Sequence, residues 1–334
     1  MNASADITGF GYLPDGREVT RIVLRGGGLQ MALLTHGARV QDLRLDAVAH
    51  PLVIGADTLD PYLGEMSYYG AIVGRFANRI ADAAFALDGK SYKTDANERD
   101  QQTLHGGTEG ASSQLWELQS VSDTSATLTL DLADGHMGFP GNLLVTATYS
   151  LPGEGTLALD ITAVTDKPTV CSFAQHSYFA LEDGGSVADQ TLWIDADRYL
   201  PVNDLMIPTL DAPATVTGSR FDFRTARPIG TAGLDHNFCL NGAEGDLRRV
   251  ARLEAPNHLS LEVVTNQPGL QIYDSARQPH MTGLGGRQHG AFAGIALETQ
   301  AWPDAVNRPA FPSAVLRPGE VYRHAVRYVF ATPG

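Results

Sequence analysis

Cysteine is nearly absent from this 334-residue chain: Cys171 and Cys239 are its only two. Two thiols cannot build the disulfide framework of a small secreted domain, so they are expected to be free, buried thiols in a reducing compartment. Basic residues are also scarce, 24 Lys and Arg against 38 Asp and Glu, which leaves a formal net charge of −14. Nucleic-acid binding needs clustered cations for the phosphates, and that class is excluded. No run approaches the ~20 apolar residues of a membrane span, and the opening MNASADITGF lacks a basic region followed by an apolar stretch. A soluble cytoplasmic protein with no membrane partner is the expectation.

Several catalytic signatures are missing as well. LRGGGLQ carries three glycines but no following Lys-Ser/Thr and no βαβ setting, so it reads as a turn rather than a phosphate cradle. There is no G-x-S-x-G elbow. None of the ten histidines falls in an H-x-x-x-H or H-x-H pattern, and no metal or other cofactor is expected.

Strand patterns are abundant. SATLTLDLAD, NLLVTATYSL, GTLALDITAV, HLSLEVVT and YRHAVRYVF are rich in Val, Leu, Thr and Tyr and are mostly bounded by turn residues. In TLTLDL, Leu128, Leu130 and Leu132 share one face while Thr127, Thr129 and Asp131 share the other, the mark of a half-buried antiparallel strand. Helical periodicity is not sustained anywhere; TLDPYLGEM is the best of a few short candidates. Short strands over the whole length, with no linker or repeat, predict an all-β chain: one large antiparallel β-sandwich domain spanning 1–334.

Five stretches depart from generic strand and turn sequence: GRFANRI (74–80), TLHGG (103–107), QHSYFAL (175–181), LDHNF (234–238) and GIALETQAWPDAVN (294–307). Each has an ordinary reading. A lone His is usually a satisfied core or surface residue. Asp235 before His236 and Asn237 suits an Asx turn or a cap. Arg75 and Arg79 suit surface ion pairs, with Arg75 the more structural of the two. Glu298 is harder to set aside, because its apolar neighbours predict burial and a buried unpaired carboxylate is costly.

Taken in order, these stretches resemble the aldose 1-epimerase (galactose mutarotase) family. THGARV (35–40), GFPGN (138–142), ADRYLPV (196–202), FDFR (221–224) and QPGLQIY (267–273) extend the resemblance over nearly the whole chain. It implies a β-sandwich with a carbohydrate cleft and a cofactor-independent isomerase acting on a free monosaccharide such as glucose, galactose or a pentose. It further implies that Glu298 is the base that takes the C1 hydroxyl proton and His176 the acid at the ring oxygen. Asn78, Arg79, His105, Asp235 and Gln271 match sugar-binding positions, with Tyr178 nearby and His105 a candidate to share the acid role. At ordinary values, a Glu carboxylate and a protonated His would coexist around neutrality. Gln175 and Ala180 stand where the family pattern commonly has Asn, and GASSQLW departs from the usual continuation of the HGG turn; both leave the sugar preference open. Three other readings remain open on the residues: a hexose-6-phosphate 1-epimerase, a glycosidase pairing Asp235 with Glu298, and a non-catalytic carbohydrate-binding protein stacking sugars on Trp116, Trp193 and Trp302.

Overall fold

The computed structural model describes residues 5–231, 233–243 and 245–333; the rest of the expected 1–334 span lies outside the described residues. Alternation shapes most of it. Along Ser125–Leu132 the buried residues are Ala126, Leu128, Leu130 and Leu132, as the sequence pattern requires. That strand belongs to a nine-stranded sheet. In spatial order its members are Glu117–Val121, Ser125–Leu132, Leu143–Gly153, Thr156–Thr165, Tyr322–Ala331, Ser260–Thr265, Arg248–Glu254, Thr191–Ile194 and Arg227–Pro228. Every pairing is antiparallel.

A six-stranded sheet follows the order Tyr178–Phe179, Ile295–Gln300, Gly269–Tyr273, Asp235–Cys239, Arg198–Tyr199 and Ala214–Thr215. A four-stranded sheet from Asp6–Tyr12 to Arg39–Leu45 completes the β-sandwich. The inner faces of all three share one core. Leu130, Val145, Ile161 and Val263 come from the large sheet, Phe238, Leu270, Ile272 and Leu297 from the six-stranded one, and Ile22, Met31 and Leu33 from the small one. Two tyrosines tie layers together by donating hydroxyls to backbone carbonyls: Tyr328 to Leu297 at 3.1 Å and Tyr149 to Ala38 at 2.9 Å.

Among the described residues no α-helix forms. The best helix candidate closes only a single 3-10 turn over Asp60–Leu63, because Pro61 opens it and Gly64 follows at once. Arg75 is structural, as expected. Its buried guanidinium donates to the carbonyls of Pro140 at 3.0 Å, Gly141 at 2.9 Å and Leu132 at 3.0 Å, pinning the GFPGN turn. Cys171 and Cys239 are both free and buried.

Candidate active site

Register in the six-stranded sheet builds the floor of a cleft. Asn237 lies opposite Gln271, and Gln271 lies opposite Glu298. Because side chains alternate with period two, these three share a face, joined by Asp235 and Tyr273 at one end and by Gln300 at the other. The intervening Phe238, Leu270, Ile272 and Leu297 turn into the core. The strand Ile295–Gln300 is buried throughout, so Glu298 is carried inward on a core strand. Asp235 is no turn residue: it sits in the strand Asp235–Cys239, which corrects the Asx-turn and cap reading.

Loops supply the walls. His176 is locked by its backbone, donating its N–H to the Ala71 carbonyl at 2.8 Å and accepting from Gly70 N–H at 2.9 Å. Gln175 supports this turn from behind, its amide donating to the Gly70 carbonyl at 3.0 Å and to Ser177 Oγ at 2.7 Å. Asn78 and His105 brace each other. His105 N–H donates to the Asn78 carbonyl at 3.0 Å, and Asn78 N–H donates to His105 Nδ1 at 3.1 Å. Tyr178 stacks on Tyr69, centroids 3.9 Å apart, and presents its ring to His176 at 5.1 Å.

The cleft has a volume of about 190 Å³ and is lined by Asn78, Arg79, Leu104, His105, His176, Tyr178, Asp235, Tyr273, Arg277 and Glu298. Seven of the eight residues singled out in the sequence therefore converge. The eighth, Gln271, stands beside the lining and donates its amide to Asp235 Oδ1 at 2.6 Å. Tyr273, Arg277 and Leu104 were missed. Tyr273 was within reach of the sequence, being two residues from Gln271 on the same strand face. Glu98, which chelates Arg79, had no local signal. The three tryptophans are elsewhere: Trp116 is buried and donates to Ala111 O, Trp302 donates to Pro268 O, and Trp193 lies under Arg249. A larger cleft of about 420 Å³, lined among others by His50, Arg287 and His289, shares only Tyr178's neighbourhood at Ala180 and none of the converging residues.

Electrostatics single out one pair. His176 Nε2 and Glu298 Oε1 lie 3.6 Å apart, both residues about 5% exposed or less. Their other polar atoms, His176 Nδ1 and Glu298 Oε2, are buried without a hydrogen-bond partner among the described residues. Burial, with the Asp235 charge adding to it and Arg79 opposing it, pushes the Glu298 carboxyl up to about 8. Burial likewise pushes His176 down to about 4. The order of the two ordinary values is thus reversed, and the expected carboxylate beside an imidazolium gives way to a neutral pair. His105 is held well below the usual histidine value by burial and then by His176 and Arg79. Since its Nδ1 accepts the Asn78 N–H, the neutral ring carries its proton on Nε2 and is a fixed donor.

That tautomer also bears on metals. His105, His176 and Glu298 offer atoms within 4.8 Å of one another, close enough for a cation. A metal on His105 Nε2 would require Nδ1 to carry the proton, but Nδ1 already faces an N–H. The trio does not suit a metal.

A buried carboxyl–imidazole contact at the foot of a polar cleft, on a β-sandwich, is the setting in which the comparisons with known proteins fall. The family model of aldose 1-epimerases matches residues 20–329. A galactose mutarotase from Bos taurus is 37% identical over 337 residues, covering 96% of this chain and 97% of that one. An aldose 1-epimerase from Escherichia coli (strain K12) is 33% identical, covering 95% and 96% respectively. Among solved structures, the GalM/aldose epimerase homologue from C. elegans superposes with a TM-score of 0.88 at 27% identity, over 94% of this chain and 99% of its own. The chain belongs to the aldose 1-epimerase family.

Proposed function

We propose that the protein is a cofactor-independent aldose 1-epimerase that interconverts the α and β anomers of a free, uncharged aldose, with Glu298 and His176 as its proton-transfer pair. The observation that carries this is the 3.6 Å contact between a buried carboxyl and a buried imidazole facing one monosaccharide-sized cleft. Anomerisation needs one proton removed from the C1 hydroxyl and one delivered to the ring oxygen. The C1–C2 bond then turns in the open aldehyde, and the same two transfers run backwards to close the ring.

Burial raises the Glu298 carboxyl and lowers the His176 imidazole, so before a sugar binds the proton the pair shares favours Glu298. A sugar hydroxyl donating to Glu298 and a ring oxygen accepting from His176 stabilise the charged arrangement, carboxylate and imidazolium, so binding prepares the chemistry. Glu298 then takes the C1 proton while His176 protonates the ring oxygen. His105 cannot give up its only ring proton without becoming an anion, so it serves as a positioning donor rather than a second acid. Arg79 and Asp235 offer a charged donor and a charged acceptor to the remaining hydroxyls, and Gln271 steadies Asp235.

Three observations count against the other readings. No tryptophan lines the cleft, which removes the stacking platforms of a binding module. Arg79 is already chelated by Glu98, which leaves a sugar phosphate only Arg277 of the two lining cations. Asp235 is the second carboxyl a glycosidase would need and lines the same cleft, but it is engaged by Gln271, and the group in contact with Glu298 is His176. The match over residues 20–329 supports reading the chain as one domain, and the two unbridged thiols support a reducing, cytoplasmic setting. Among the described residues no helix is long and apolar enough to cross a membrane.

Glu298→Gln keeps the shape of the side chain and removes the base. Polarimetry on α-glucose, α-galactose, xylose and arabinose should show a loss of about 10²–10⁴-fold in rate, with folding retained. Near wild-type rates in that variant would overturn the assignment. The ranking of the four sugars reads the preference.

A further inference from the structure

We infer that Glu98 is a positioning and specificity-determining residue: it holds Arg79 in one pose, cancels its charge, and so restricts the cleft to uncharged sugars. The inference deepens the proposed epimerase reading and rests on it. Glu98 does not line the cleft; it acts from behind.

The geometry is a two-pronged clamp. Arg79 Nε donates to Glu98 Oε2 at 2.7 Å and Nη2 donates to Oε1 at 2.8 Å, which leaves the Nη1 edge of the guanidinium as the one turned away from Glu98. Both side chains are largely buried, 11% and 19% exposed. The clamp is itself held. Gln102 donates its amide to Glu98 Oε2 and, at 2.9 Å, to the Leu205 carbonyl, while Glu98 N–H donates to the Gln102 carbonyl at 3.1 Å. Arg99 ties the same turn to the Asp204 carbonyl at 3.0 Å. A carboxylate braced at this many points is built to orient its partner, since a surface ion pair needs no such scaffold.

The charges explain what the clamp achieves. Arg79 and Arg277 are the cations of the cleft lining, and Asp235 and Glu298 are its acids. Burial is the largest influence on the Arg79 pKa and lowers it, yet the Glu98 hydrogen bonds together with the fields of Asp235, Glu98 and Glu298 raise it on balance. An uncharged hydroxyl needs only the directed N–H of such a group. A phosphate or a uronate carboxylate needs its net charge, and would find that of Arg79 already taken, with the Asp235 carboxyl alongside and Arg277 the other cation of the lining.

The test compares wild type, Glu98→Gln and Glu98→Asp on glucose, D-glucuronate and glucose 6-phosphate by polarimetry, with the pH profile on glucose. Glu98→Gln is isosteric and releases the charge. KM for glucose should rise about 3–10-fold with a smaller change in kcat, because the lost contact orients the bound ground state. Relative kcat/KM for glucuronate over glucose should rise about 10-fold, as one opposing charge is removed. The alkaline limb of the glucose profile should move to lower pH, since an uncancelled guanidinium favours ionised Glu298. Glu98→Asp keeps the charge but shortens the reach, so it should raise KM while still excluding glucuronate. Unchanged KM, anion ratio and alkaline limb in Glu98→Gln would overturn the inference, as would a wild type that handles glucuronate as well as glucose. A wild type that fails to accelerate glucose anomerisation would instead remove the proposed activity. Calorimetry of glucose and glucuronate on wild type and Glu98→Gln would then decide the role of Glu98 by binding alone.

Discussion

Burial acts in opposite directions on the two groups in contact at the foot of the cleft. It disfavours the carboxylate of Glu298 and the imidazolium of His176 alike, because each is the charged form. Below about 4 both groups are protonated and no base remains; above about 8 both are deprotonated and no acid remains. Between those limits the pair carries one proton, whichever group holds it, and can supply one acid and one base. The expected kcat/KM profile is therefore a bell with limbs near these values, belonging to the pair and not to either residue alone. A stopped polarimetric series from acid to alkaline pH checks it, and a rate still rising at pH 9 would contradict it. The run Ile295–Leu297 already announced a buried Glu298. The depression of His176 was not legible, because its burial comes from Tyr68 and His105, both distant in sequence, as well as from the nearby Tyr178.

Elements place these residues through turns and register. The HGG turn is the clearest case. Gly106 has φ +88, and a Cβ there would lie 2.2 Å from the Gly74 carbonyl oxygen and 2.7 Å from Arg75 N. Both obstacles are backbone and cannot rotate away. Gly106→Ala should therefore displace the His105 turn, with a stability loss of about 2 kcal/mol or more in denaturant titration and a raised KM for the sugar. A variant with wild-type midpoint and KM would show that the two backbones can part cheaply. The turn itself was readable from its two glycines, but its packing against the Gly74–Arg75 backbone was not. Asp235 shows the converse error. Its Asp-His-Asn context suits a turn, yet pairing with Gly269–Tyr273 extends it into a strand, since tertiary partners outweigh local preference.

At the scale of the whole molecule, the site depends on the nine-stranded sheet supporting the six-stranded one. Tyr328, from the centre of the large sheet, donates its hydroxyl to the carbonyl of Leu297, the residue before Glu298. Tyr328→Phe removes one buried hydrogen bond between the layers and should cost about 1 kcal/mol, read as a lowered denaturant midpoint with the sugar KM kept. A loss of activity far beyond that would mean the bond positions the carboxylate as well.

The sequence by itself determined the all-β class, the half-buried alternation of its strands and seven of the residues that meet in the cleft, because period, turn chemistry and ordered motifs are local properties of a chain. Tertiary structure alone decided that Gln271 donates to Asp235, that Glu98 grips Arg79 and that burial raises the Glu298 carboxyl while lowering the His176 imidazole. Those outcomes come from which strands lie side by side and how much water they exclude, and neither quantity exists until the sheets have closed.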